Sequence, residues 1–87
     1  MKHEIGARIY YTGDMANVSD WGTIREIIGG RFGEQVRLVM DNGPDKTIPP
    51  SGIGNKYNGT CSPRFVTEDA YNAWHREQMA NYQSALA

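Results

Sequence analysis

Trp21-Gly22-Thr23-Ile24-Arg25-Glu26-Ile27-Ile28 runs through Gly29-Gly30-Arg31-Phe32-Gly33 into Glu34-Gln35-Val36-Arg37-Leu38-Val39-Met40 and stops at Asp41-Asn42-Gly43. Two runs rich in β-branched residues around a glycine pivot, with a second turn signal directly after, predict the central hairpin of a small antiparallel sheet. In the second run Val36, Leu38 and Met40 point one way and Gln35, Arg37 and Val39 the other, so one face is buried. The first run is two-sided: Ile24 and Ile28 share one side, Trp21 and Ile27 the other. A strand that bends or carries a bulge reconciles the two.

Outward from this hairpin, Ile5, Ala7, Ile9 and Tyr11 alternate with Arg8, Tyr10 and Thr12, the period of a half-buried strand. Gly13-Asp14 ends it, and Met15 to Asp20 reads as a surface loop pinned by Met15 and Val18. Downstream, Lys46-Thr47-Ile48 is a short strand stopped by Pro49-Pro50. Ser51 to Pro63 has no period, only isolated Ile53 and Tyr57; a patternless loop longer than about 12 residues is usually functional or mobile. Arg64-Phe65-Val66 is a last short strand. Thr67 then offers a helix N-cap, with Glu68 and Asp69 in the first turn where the helix dipole favours negative charge. Tyr71, Trp74, Gln78 and Tyr82 follow at steps of three and four, with Leu86 near the stripe and Met79 at its border. This predicts an amphipathic helix with an aromatic face that covers an open end of the barrel, the alternative being a helix that stands away and exposes a patch able to dimerise or dock.

Composition narrows the class. The 87 residues include 39% hydrophobic and 22% charged side chains, which suits one globular domain rather than a disordered chain. No run reaches the roughly 18 apolar residues of a membrane helix, and Met1 to Gly6 lacks the apolar centre of a secretion signal. Cys61 stands alone, so no internal disulfide forms, and no Cys or His pair has zinc spacing. A cytoplasmic location follows as an expectation.

Nine basic residues face ten acidic ones, for a net charge of −1. Phosphate-driven binding grows with the number of phosphates neutralised, so such a chain has no built-in affinity for nucleic acid. It is equally no polyanionic mimic of DNA.

Candidate chemistry is thin. A Cys61 thiolate with His75 as base lacks an acidic residue to orient the imidazole. Asp41, Asp45 and Asp14 hint at a cation site, but Asp41-Asn42-Gly43-Pro44-Asp45 breaks the ligand order of a calcium loop and reads as a turn. Gly52-Ile53-Gly54-Asn55-Lys56 lacks the ending of a phosphate cradle. Asn17-Val18-Ser19 and Asn58-Gly59-Thr60 match the glycosylation triplet but carry no weight without a secretion signal. No catalytic residue, metal ligand or cofactor is predicted, and the chain reads as a non-enzyme.

Five short strands, a loop after the first, glycine turns between the middle three and a Pro-Pro break before the last resemble an SH3-like barrel. More narrowly, Gly22 to Ile27 followed by Val36 to Gly43 resembles the barrel core of KOW-type modules and of small proteins carried by phages and plasmids. The resemblance spans Gly6 to Ile48. It implies binding to RNA or protein in large complexes, and for the phage and plasmid proteins inhibition of a host complex, a CRISPR effector for example. The expected fold is therefore mainly β (α+β): one domain over 1–87, with an SH3-like antiparallel barrel of about five strands over 5–66 and an amphipathic helix over 67–86.

With Ile9, Val36 and Leu38 inward, the opposite face carries Arg8, Tyr10 and Arg37, with Arg25 nearby. Arginine beside tyrosine suits interface anchors and stacked bases alike. The expected partner-binding residues are Arg8, Tyr10, Arg25 and Arg37, joined by Tyr57 from the long loop. The leading expectation is a binding module, monomeric or homodimeric, that occupies a surface on a larger host protein or ribonucleoprotein. Direct RNA or DNA binding through the same face is second, because the net charge departs from the basic RNA-binding members.

Overall fold

The computed structural model of the chain describes residues 3–13, 18–31 and 33–86. Asp14, Met15 and the side chain of Leu86 lie outside the described residues. In order come β1 (Arg8–Tyr11), β2 (Asp20–Gly30), β3 (Gly33–Met40), β4 (Lys46–Ile48), a 3-10 turn (Pro50–Gly52), β5 (Ile53–Gly54), β6 (Phe65–Thr67) and α1 (Glu68–Leu86). The strands form one sheet in the order β4-β3-β2-β1-β6-β5, curled into an SH3-like half-barrel. The molecule is mainly β with one C-terminal helix, as the hydrophobic pattern requires.

β2 and β3 make the central hairpin. Their register shifts between Ile24 and Glu26, which places a bulge at Arg25. The bulge resolves the two-sided reading of β2: an extra residue between Ile24 and Ile27 turns both toward the core, while Trp21 and Ile28 face out. Ile9, Ile24, Val36 and Leu38, at most 1% exposed, form the centre of the core, and Val66 is buried as completely. Removing such side chains from water contributes about 1.5–3 kcal/mol each.

Two expectations about the strands change. Ile5 is 63% exposed rather than core-facing, because the chain turns at Ile5–Gly6 before β1 begins. The long loop is not wholly irregular: Ile53, 8% exposed, opens β5, which pairs parallel to β6 through Ile53–Phe65 and Gly54–Val66, giving six strands. The curled sheet has β4 and β5 as its edges.

Thr67 caps α1 as its sequence suggests, its Oγ1 accepting from the Ala70 amide at 3.1 Å. The helix does not lie across an end of the barrel. Ala70, Tyr71 and Trp74 seat its first two turns on β1 and β6, and every residue from His75 to Ala85 is exposed. Nineteen residues at 1.5 Å each make a rod of about 28 Å, and the molecule is elongated at 55 × 28 × 20 Å. Its radius of gyration is 14.4 Å, against roughly 12 Å for a compact chain of this length.

Candidate protein-binding surface

The outer face of β1 and β2 is built by cross-strand pairs. Because Ile9 and Tyr11 turn inward, Arg8 and Tyr10 turn outward, and the antiparallel register sets them opposite Thr23 and Trp21. The Tyr10 and Trp21 rings lie 5.0 Å apart. α1 lowers Tyr71 onto both, 4.6 Å from Tyr10 and 5.0 Å from Trp21. Tyr57 reaches in from the loop after β5, 5.7 Å from Tyr10 and 4.8 Å from Trp74. Burial among these rings pushes the Tyr57 hydroxyl above its usual pKa. His75 stacks on Tyr71 at 5.9 Å. The six rings fasten helix, loop and sheet together as a second, outer core.

Two of the expected contact arginines are occupied within the chain. Arg8 donates through Nη1 and Nη2 to both carboxylate oxygens of Asp41, at 3.0 and 2.7 Å, and through Nη1 to Thr23 Oγ1 at 2.7 Å. Its guanidinium also lies 5.6 Å from the Trp21 ring centre. The hydrogen bond from Arg8 holds the Asp41 carboxyl below the usual carboxylate range. Arg37 spans Glu26 at 3.1 Å and Asp45 at 2.8 Å. Asp41 and Asp45 thus complete ion pairs across the sheet.

The five expected contact residues are therefore not one open face. Tyr10 and Tyr57 belong to the outer core, Arg8 and Arg37 are paired, and Arg25, on the bulge, is exposed with no partner among the described residues. The supposition of a bare Arg and Tyr sheet face is corrected by the seat of α1 on it. Cys61 Sγ approaches the Thr12 carbonyl at 3.8 Å while His75 stacks on Tyr71, so the two groups are engaged separately. Gly52 to Lys56 is divided between the 3-10 turn and β5. Among the described residues no group of three or more His, Cys, Asp or Glu is placed to hold a metal ion. No helix among them is long and apolar enough to cross a membrane.

What stands open is the outer half of α1. Met79 and Tyr82 are 46% and 61% exposed. His75, Met79 and Tyr82, at steps of four and three, lie along one flank. After Glu77 the helix carries no charged residue, and no basic residue faces its C-terminal dipole. Helical segments of fewer than about 12 residues are marginal without tertiary packing, and the ten residues from Arg76 to Ala85 are all exposed among the described residues. The helical period revealed the stripe in the sequence; what it did not reveal is where the sheet beneath it ends.

Comparison with protein-family models, with curated proteins and with solved structures gives no match to this chain.

Proposed function

We propose that this chain is a non-catalytic binding module that captures a larger protein or ribonucleoprotein through the exposed flank of α1. The carrying observation is that flank: Met79 and Tyr82, 46% and 61% exposed, stand on an uncharged stretch of helix whose residues are all exposed among the described residues. A solvent-adapted helix presents charges on its open face, whereas an amphipathic helix laid into a partner's groove presents apolar anchors at such steps. Tyrosine and methionine are also enriched at interface cores. The likeness to small phage and plasmid proteins gives the capture a direction, namely blocking a working surface of a host complex such as a CRISPR effector.

Direct binding of RNA or DNA is the weaker reading. Arg8 and Arg37 already have carboxylates on their guanidinium groups, and Tyr10 lies beneath Tyr71. Titration with single- and double-stranded oligonucleotides at two salt concentrations separates the readings, because phosphate-driven affinity falls steeply with salt. Salt-sensitive binding at low salt would favour nucleic acid.

A photoreactive phenylalanine analogue placed at position 82, and separately at position 25, maps the surface in cells. The proposal expects one dominant protein adduct from position 82. An adduct from position 25 and none from 82 would move the interface to the β2–β3 hairpin and overturn the helix reading.

A further inference from the structure

Between the start of β2, the β3–β4 turn and β4, a cavity of about 340 Å³ opens onto the core. Its floor is Tyr11 and Met40, only 4% and 6% exposed, and Pro44 and Val18 form apolar walls. Val18 is itself 87% exposed. An aliphatic side chain thus stands uncovered at the rim of a recess that reaches core residues.

Two charged groups line the recess, and they differ. Asp20 accepts hydrogen bonds from the Trp21 amide at 2.8 Å and from the Asn42 amide and side-chain nitrogen at 3.0 and 2.9 Å, so its oxygens are engaged in fixing the turn. Lys46 Nζ stands 4.7 Å from the centre of the Tyr11 ring and has no carboxylate or hydrogen-bond partner among the described residues. An ammonium group on an aromatic face keeps its N–H donors for a further acceptor.

We propose that this cavity binds a small monocarboxylate with a compact apolar body, its carboxylate on Lys46 Nζ and its body against Met40, Tyr11, Pro44 and Val18. The volume lies at the small end of ligand sites, which span roughly 300–1,000 Å³, so one ring or one branched chain fills it. Asp20 also lines the recess, and its charge disfavours a second negative charge on the ligand. A bare phosphate or sulfate would leave the apolar walls unused and find one cationic donor where such anions prefer several. The recess involves none of the exposed flank of α1, so its test is independent of the binding reading above.

The test is an amide NMR titration of the full chain with phenylacetate, and with phenylacetamide as the neutral isostere. Phenylacetate is expected to shift the Ser19, Asn42, Gly43 and Lys46 amides saturably, with a dissociation constant in the range of about 1–10 mM, and phenylacetamide to bind more weakly. Lys46→Gln should weaken phenylacetate about five-fold and leave phenylacetamide unchanged. If Lys46→Gln lowers the melting temperature, Val18→Ser carries the test, because a side chain so exposed does not support the fold; it should weaken both probes. Shifts that fail to saturate by about 20 mM, shifts located elsewhere, or equal affinity for acid and amide would overturn the proposal.

Discussion

The ring of Tyr71 on α1 lies 4.6 Å from the ring of Tyr10 on β1, and this contact decides where the helix is held and where it is left free. Tyr71 also meets Trp21, Tyr57, Trp74 and His75. Truncation there removes the keystone of the outer core. Tyr71→Ala is expected to destabilise by about 2–3 kcal/mol and to reduce helical circular dichroism. Tyr82→Ala, eleven residues along, should stay within about 0.5 kcal/mol of wild type. Equal losses would mean that the outer half of α1 is packed.

Hydrogen exchange reads the same division amide by amide. In the free chain, amides of Gln78 to Ala85 should exchange far faster than those of Ala73 to His75, because only the first turns are tied to the sheet. Uniform protection along α1 would contradict this.

Gly59 adopts φ +86 and sits against Trp74; a Cβ there would fall 3.1 Å from Nε1 of the indole. Gly6, at φ +94, has open space around it. Both alanine variants carry the backbone cost of about 1 kcal/mol, and only Gly59→Ala adds a clash in the outer core. Gly59→Ala should therefore melt at the lower temperature of the two.

Much of this architecture was legible in the chain. Val36, Leu38 and Met40 gave the inner face of β3, Thr67 the start of α1, and Pro49-Pro50 the end of β4, because each signal is local. Ile53 was not legible as part of a strand, since a two-residue parallel pairing has no period to read. Nor was the paired state of Arg8 and Arg37, whose carboxylate partners Asp41, Glu26 and Asp45 lie 8 to 33 residues away along the sequence and meet them only across the sheet. The aromatic residues of strand, loop and helix were each visible, but their convergence depends on the angle at which α1 leaves β6.

Asp41 and Asp20 give the fold a defined response to acid. The Asp41 carboxyl is lowered from its ordinary 3.8 by the hydrogen bond from Arg8. For Asp20 burial pushes upward, but the hydrogen bonds from Asn42 and Trp21 prevail and hold it below 3.8. Groups with depressed folded-state pKa values contribute stability that is present above the unfolded value and lost as pH falls through the folded one. Melting temperature should therefore fall as pH drops below about 4, and Asp41→Asn should flatten that dependence. A steeper dependence in Asp41→Asn would contradict the assignment.

Charge reversal separates the two arginines of the hairpin. Arg37→Glu sets a carboxylate between Glu26 and Asp45 and should lower the melting temperature, whereas Arg25→Glu, with no partner to lose among the described residues, should leave it unchanged. Identical melting curves for the two variants would show that the Arg37 pairs carry no stability.

The proposed grip of α1 on a partner uses its exposed outer half. The decisive measurement is the affinity of the captured partner for wild type and for the Met79→Ser, Tyr82→Ser double variant, with both melting temperatures recorded. The double variant should lose at least about ten-fold in affinity at an unchanged melting temperature. Undiminished affinity in a folded double variant would contradict it.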